Sequence, residues 1–567
     1  MSFACLCVLL LKNFKIRGPG RRFDRRRKFK KNIEKKAYSV LKKKLLVAFN
    51  GLSSINFRSR NRDRAMKKHN THTMPCAIQG GRFKRNRPSI KAARYINQGI
   101  KLMELLKIKG GNPLRGTVKN SGAKNAITKL LVASLLSDKK CVFYNVPNIG
   151  DVEITVALCR EIGADIKWDR EAGVLEIITK ELKTSYVPQR FSGANRIPIL
   201  MIGALLGRTD EDIIVPTVGG CPIGSRSVDF HIEALQRLGA TIEYREMKKE
   251  GAYFAHAHNG LKGTQITLPY PSIGATENTI LASVTARGIT VIKNAAIEPE
   301  IVDLILFLQK LGANITLDVD RTIRVQGTRR FFDVEHYVVP DRMEAASFGM
   351  AAIATKGRVL VEGAQHLNMI TFLNKIREVG GGFEIKHNGI EFFYDGPLQG
   401  GIHLETDVHP GFMTDWQQPF VVLLSQSSGS SVVHETVYEN RFGYTETLRD
   451  MGADISLFRQ CLGGKECRFS SQSFYHSIIV KGATPLVGRE ISIPDLRAGF
   501  AYVMAALIAS DTSSISGLHF IDRGYENLVH KLCALGADAS RVTPTKAAKP
   551  EKEKEKEKVS ALALIAH

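Results

Sequence analysis

The stretch Glu161-Ile162-Gly163-Ala164-Asp165-Ile166 decides the fold. A helix-like amphipathic segment runs into it and a strand-like segment leaves it. Its glycine suits the position just past a helix end, where a left-handed backbone carries no Cβ penalty. The same step returns at Arg237–Ile242, Lys310–Ile315, Glu378–Phe383, Asp450–Ile455 and Ala534–Ala539. The spacing of about 70 residues is too long for a solenoid repeat. Upstream of these steps runs a second marker, a helix of small apolar residues followed by a polar turn and a β-branched strand. Leu131–Leu136, Leu281–Ala286 and Met504–Ser510 are examples. Helices apolar nearly all round are buried helices. Each unit therefore reads as buried helix, strand, surface helix and further strands. The fold class is α/β, with six units arranged as two domains of three. Unrelated α/β units that share only their caps are the plainer alternative, and the common order of both markers weighs against it.

The chain has 567 residues and a formal net charge of +26. That charge is confined to one end: residues 1–102 hold 29 Lys and Arg against 3 Asp and Glu, leaving 52 of each sign in 103–567. The body is neutral, so no nucleic-acid surface is inferred for it. Three readings fit the basic extension: an upstream region ahead of a natural start at Met103, an organelle transit peptide, or an RNA-binding arm. The Lys/Glu alternation at Glu551–Lys558 marks 543–567 as a solvated tail. No apolar run has the length of a membrane span. The nine cysteines are odd in number and show no CxxC pair, and no zinc-type Cys/His set is expected. A reducing compartment is the simple reading.

Charged residues recur just before the apolar helices. Lys124 and Asn125 follow Ser121-Gly122-Ala123, Arg196 heads Ile197–Leu206, and Arg342 follows Pro340-Asp341. Asp415, Asp495 with Arg497, and Asp522 with Arg523 repeat the pattern. Singly, each is as well explained as a cap or a structural ion pair. If the helix starts converge, they build a cationic pocket with two or three carboxylates. A glycine-rich loop, Gly219-Gly220-Cys221-Pro222-Ile223-Gly224, holds one cysteine ahead of Arg226, Asp229 and His231. The residues of the loop leave two readings of Cys221, a reactive thiol on a mobile lid or an ordinary buried cysteine.

The motifs SGAKN (121–125), GGCxIGxRxVDxH (219–231), EPEIVD (298–303), PDRxE (340–344), TDxQ (414–417), ETVxENRF (435–442), DLRA (495–498) and IDRGYE (521–526) stand in one order. Together they resemble the enolpyruvyl transferases, in particular the UDP-N-acetylglucosamine 1-carboxyvinyltransferase family, over about 103–542. The resemblance implies two inside-out α/β barrel domains of βαβαββ-type units, 124–339 and 103–123 plus 340–542, with the active site in the cleft between them. It implies transfer of the enolpyruvyl group of phosphoenolpyruvate to the 3′-hydroxyl of UDP-N-acetylglucosamine, without metal or organic cofactor. That is the first committed step of peptidoglycan synthesis, in a bacterial cytoplasm, or in an organelle stroma if the extension is a transit peptide.

Residue by residue, the resemblance makes Cys221 the general acid on a closing loop and the target of fosfomycin, and Asp415 the base. Lys124, Arg226 and Arg523 would hold phosphoenolpyruvate, with Arg196, Asp495 and Arg497 close by. Asn125, Glu298, Asp341 and Asp415 would meet the sugar. Ser227, Val228, Asp229, Phe230, His231, Ser272, Ile273, Gly274 and Val437 would lie along the nucleotide. Ser227 departs from a usual proline, and Tyr270 from a frequent lysine. Residues 457–474, Gly- and Ser-rich with Cys461 and Cys467, read as an inserted surface loop.

Overall fold

The computed structural model describes residues 104–219, 227–246, 251–464 and 467–543. Cys221, Arg226, residues 1–102 and residues 544–567 of the tail lie outside them. Twelve α-helices are described, and they alternate in character. They are α1 (Lys124–Ala133), α2 (Gly150–Ile162), α3 (Leu200–Leu205), α4 (Asp229–Arg237), α5 (Ile273–Thr285) and α6 (Pro299–Leu311). The series continues with α7 (Arg342–Ala354), α8 (Ile370–Glu378), α9 (Thr414–Leu424), α10 (Thr445–Asp450), α11 (Leu496–Ile508) and α12 (Leu528–Ala534). The odd-numbered helices are buried over most or all of their length, whereas the even-numbered ones bury one face. Their sequences explain this. Arg342–Ala354 is Ala-, Met- and Phe-rich on every face, while Ile370–Glu378 alternates Phe372, Leu373 and Ile376 with charged residues.

Every even-numbered helix ends one or two residues before the glycine of the repeated step. Gly163, Gly239, Gly312, Gly380, Gly452 and Gly536 all have φ between 83° and 123°. An L side chain at these positions meets the carbonyl clash that glycine avoids. The chain then enters a strand, as at Asp165–Asp169 and Asn314–Leu317.

Six sheets result, five of four strands and one of three. The unit holding α5 and α6 shows the plan. Gln265–Thr267 pairs parallel with Ile289–Lys293, which pairs antiparallel with Ile323–Gln326, itself antiparallel to Asn314–Leu317. In the unit of α3 and α4 the first strand shrinks to one parallel bridge, Tyr186 to Ile214. Two units take a strand from elsewhere in the chain. Val334–Tyr337 pairs with Cys141–Tyr144 and completes the unit of α1 and α2. The N-terminal strand Leu105–Lys109 closes the sheet of Thr512–Ser516 and Asp538–Val542, and Arg115–Lys119 pairs with Arg358–Glu362.

Two hydrophobic cores form. The first gathers residues from Ala123 to Val338 around α1, α3 and α5. The second gathers Leu106 to Val118 and Met343 to Ala537 around α7, α9 and α11. Helices lie inside and sheets outside, because the all-round apolar helices must be covered and the sheets have one polar face.

Two expectations are corrected. A Cys/His set does form: His434, Cys461, Cys467 and His476 converge, with their ligand atoms within 4.8 Å of one another. The four side chains come from a strand end, the residue just before another strand and a loop, so no short-range spacing reveals them. Nor is 457–474 only a surface loop, since Arg468, Phe469 and Gln472 face the central cavity.

Candidate active site

A cavity of about 720 Å³ opens between the two cores. Five of the six buried helices send their first turn into its wall: Lys124 and Asn125 from α1, Leu200 from α3, Ile273 and Gly274 from α5, Thr414 and Asp415 from α9, and Leu496 and Arg497 from α11. Helix N-termini carry unpaired N–H groups and a partial positive charge, so their convergence favours an anion. Ser272 caps α5, and Asp495 caps α11 by accepting from the N–H groups of Arg497 and Ala498 at 2.9 and 3.1 Å.

Arg196, Ser227, Asp229, Phe230, His231, Ser272, Glu298, Val437, Asp495 and Arg523 also line the cavity. Two sequence-predicted residues do not. Val228 is buried at the start of α4. Asp341 is buried beneath the wall, where it caps α7 through Met343 N–H at 2.7 Å and accepts from Lys124 N–H at 3.3 Å. Its place is that of a cap that also seats the start of α1.

Among the described residues the lining is less cationic than expected. Lys124, Lys129, Arg196, Arg441, Arg468, Arg497 and Arg523 are outnumbered by carboxylates, which include Asp151, Glu277, Glu300 and Asp407. The excess is resolved by pairing, and two acid-centred clusters dominate. Asp151 binds Lys124 Nζ at 2.8 Å and Arg523 Nε at 2.8 Å. Asp415 binds an Arg441 guanidinium nitrogen at 2.8 Å and Arg497 Nε at 3.0 Å. Burial alone raises a carboxyl's pKa, but in both clusters the flanking cations outweigh it and hold the acid below its ordinary value.

Other wall residues differ in charge state. Burial pushes the Glu277 carboxyl up to about 7, against the opposing pull of Lys129 at 3.5 Å. Burial and the neighbouring Arg196 bring His231 down to about 3, so the ring is neutral. Asn278 donates to its Nδ1 at 3.3 Å, which assigns the proton to Nε2. Gly274 is needed here, because a Cβ would come within 2.9 Å of the His231 ring. Glu298 Oε2 is buried and has no hydrogen-bond partner among the described residues. Glu300 is locked to Arg342 by two hydrogen bonds at 3.0 and 2.8 Å.

Sequence reasoning missed Asp151, Lys129, Glu277, Glu300, Arg441 and Arg468 as wall residues. Arg441 and Glu300 stood inside quoted motifs. Asp151, second in α2, matched the charged-helix-start signal but heads a surface helix rather than a buried one. Nothing in the sequence marked Arg468, which stacks on Tyr270 at 4.5 Å and donates to the Val437 carbonyl.

This arrangement, two helix-centred α/β bodies with paired cations in the cleft between them, has known counterparts. Residues 108–532 match the family model described as EPSP synthase (3-phosphoshikimate 1-carboxyvinyltransferase). The enolpyruvyl transferase NikO from Streptomyces tendae superposes with a TM-score of 0.67 at 19% identity, covering 78% of this chain and 100% of that one. The fold is that of the enolpyruvyl transferases. The sequence comparison is narrower. The UDP-N-acetylglucosamine 1-carboxyvinyltransferase of Protochlamydia amoebophila is 80% identical over 447 residues, 79% of this chain and 96% of that protein. That of Chlamydia abortus is 58% identical over 437 residues, covering 77% and 97%. The chain belongs to the UDP-N-acetylglucosamine 1-carboxyvinyltransferase family.

Proposed function

We propose that the protein transfers the enolpyruvyl group of phosphoenolpyruvate to the 3′-hydroxyl of UDP-N-acetylglucosamine, releasing phosphate. The reaction forms a C–O bond at C2 while C3 gains a proton. The tetrahedral ketal then loses phosphate as the C3 proton leaves. The observation that carries this reading is the inverted polarity of the two clusters. In one, Asp151 is buried (4% exposed) and its cations Lys124 and Arg523 face the cleft at 17% and 20%. In the other, Arg441 and Arg497 are buried (2% and 8%), and Asp415 faces the cleft at 21%. One wall thus offers positive charge to a phosphate and carboxylate, and the other offers a carboxylate to a hydroxyl.

Lys124 and Arg523, with Arg196, Arg226 and Arg497, would hold the phosphoenolpyruvate anion. An incoming anion competes with Asp151 for them. Asp415 is ionised but weakly basic while both arginines hold it. Taking the hydroxyl proton requires that a substrate anion draw Arg497 away. Cys221, from the glycine-rich loop, would protonate C3. Glu298 Oε2 and Asn125 would meet the sugar, and His231, Ser272–Gly274 and Val437 would line the nucleotide. Asp341 would act through Lys124, which it seats. We infer domain boundaries at 124–339 and at 103–123 plus 340–542, which agree with the membership of the two cores except that Ala123 packs in the first. A cytoplasmic place in peptidoglycan synthesis, and so in cell shape and division, follows from the same reading. Among the described residues no helix is long and apolar enough to cross a membrane.

The test is phosphate release from phosphoenolpyruvate with UDP-N-acetylglucosamine or shikimate 3-phosphate as acceptor. Turnover with the nucleotide sugar alone is expected, and turnover only with shikimate 3-phosphate overturns the assignment. Incubation with fosfomycin and the nucleotide sugar is expected to add its mass to Cys221. An unmodified Cys221 removes that residue from the role of acid.

A further inference from the structure

Away from the cleft wall, four side chains meet at one end of the sheet formed by His403–Glu405, Gly429–His434, Ser477–Gly482 and Asp454–Phe458. His434 ends one strand and lies opposite Ser477, whose preceding residue is His476. Cys461 and Cys467 come from the inserted segment that joins the last two strands of this sheet. The two sulfurs are 3.3 Å apart, far from the roughly 2.05 Å of a disulfide, and both thiols are free. Cys461 Sγ is 3.2 Å from His476 Nε2, and all four ligand atoms lie within 4.8 Å of one another. A tetrahedral zinc ion with its ordinary bond lengths separates sulfur and nitrogen ligands by roughly 3.3–3.8 Å. The Cys461–Cys467 and Cys461–His476 pairs already stand near that spacing, and the widest pair, at no more than 4.8 Å, has to close by about 1 Å.

The second shell fits the same ion. His476 Nδ1 is 2.9 Å from the Phe474 carbonyl, and His434 Nδ1 is 2.8 Å from Ser477 Oγ. The Phe474 carbonyl can only accept, so the His476 proton sits on Nδ1 and its Nε2 is bare, and His434 presents a bare Nε2 in the same way when its Nδ1 donates to the Ser477 hydroxyl. His434 Nε2 is buried and has no hydrogen-bond partner among the described residues, which is costly unless something binds it. Ser477 Oγ also accepts from Leu462 N–H at 3.1 Å, which ties the neighbour of Cys461 to the same strand. Gly463 then crosses the His434 ring so closely that a Cβ would lie 2.4 Å from it. Glu405 beside it accepts from Gly464 N–H.

We propose that His434, Cys461, Cys467 and His476 bind one zinc ion in a closed structural site. Two thiolates balance the 2+ charge, and four protein ligands leave no position for a substrate. The site anchors the inserted segment at the end of its sheet. The residue after Cys467 is Arg468, whose guanidinium stacks on Tyr270 and whose neighbours Phe469 and Gln472 share the cavity wall. The metal thus holds one wall of the cleft. Metal binding itself does not depend on the proposed function, whereas its effect on nucleotide affinity rests on that reading.

Elemental analysis of the full chain, purified without chelator and supplied with Zn²⁺, is expected to find about one zinc per chain. Replacing zinc with Co²⁺ is expected to give the intense absorption of tetrahedral thiolate-bound cobalt. A chelator should expose two further reactive thiols. Cys461→Ser and His434→Ala are expected to lose the metal, and Cys533→Ser, at an exposed thiol elsewhere, to keep it. Should the variants fail to fold, the zinc content and cobalt spectrum of the unaltered chain decide. Absence of stoichiometric metal after Zn²⁺ addition, octahedral cobalt, or a Cys461–Cys467 disulfide in freshly isolated protein would overturn the site. A site that forms while Cys461→Ser leaves the KM for UDP-N-acetylglucosamine unchanged refutes the link to the cleft wall.

Discussion

The two acid-centred clusters of the cleft are built from the same parts and turned opposite ways. Asp151 is the buried member of its cluster, and Asp415 is the exposed member of its own. Asp151 also joins the two cores, since it and Lys124 belong to the first and Arg523 reaches it from the second. The backbone supports that junction, with Gly150 N–H bonded to the Asp522 carbonyl at 2.9 Å. Asp415, Arg441 and Arg497 all belong to the second core. The first cluster therefore couples cleft charge to the contact between the halves, and the second tunes one carboxylate within a half. A buried charge must be paired, but which partner is buried decides what the site shows to a ligand.

Substitution of the two acids separates these roles. Asp415→Asn leaves the buried Arg441 and Arg497 without their anion. Unfolding in denaturant is expected to show a loss of about 3–5 kcal/mol, and phosphate release to fall by at least about 10²-fold. Asp151→Asn is expected to be milder in stability, about 1–2 kcal/mol, because Lys124 and Arg523 reach water and the amide still accepts one hydrogen bond. Equal losses in the two variants would break the contrast. The half-bridging role of Asp151 predicts faster proteolysis at the junction in Asp151→Asn and not in Asp415→Asn.

Glu277 sharpens the comparison, since its carboxyl has one cation rather than two and its pKa moves up to about 7 instead of down. The folded state holds this proton more tightly than the unfolded chain does. Its stabilising contribution is full below the ordinary glutamate value and is lost as pH rises through about 7. Glu277→Gln is therefore expected to gain stability over the unaltered chain between pH 5 and pH 8. The gain is bounded by about 3 kcal/mol and reduced by unpairing Lys129. Thermal unfolding across that range measures it, and a gap that narrows with pH has the wrong sign. The smallest effect expected is for Arg468→Ala, which removes one stacked cation. The KM for the nucleotide sugar should rise about 2- to 5-fold with kcat little changed.

Much of the fold was legible because its signals are local. A glycine past a helix end is a backbone requirement, and all six repeated steps carry it at positive φ. Helix burial was legible from all-round apolar composition. The borrowed strands were not, since Leu105–Lys109 and Val334–Tyr337 resemble any short alternating stretch. Only long-range pairing assigns them to their sheets. At the site, the charged helix starts were visible as a class. Their partners were not: Asp151 and Arg523 are 372 residues apart.

The six-unit α/β plan, the family and the residue types available for anion binding are legible along the chain, because they depend on local backbone chemistry and on motif order. Long-range packing sets which member of each ion pair is buried. It also decides that Asp341 lies beneath the wall, that the inserted segment brings Arg468 to the cleft, and that two cysteines and two histidines meet. Coulomb and coordination energies depend on distance and burial, which spacing along a chain does not encode.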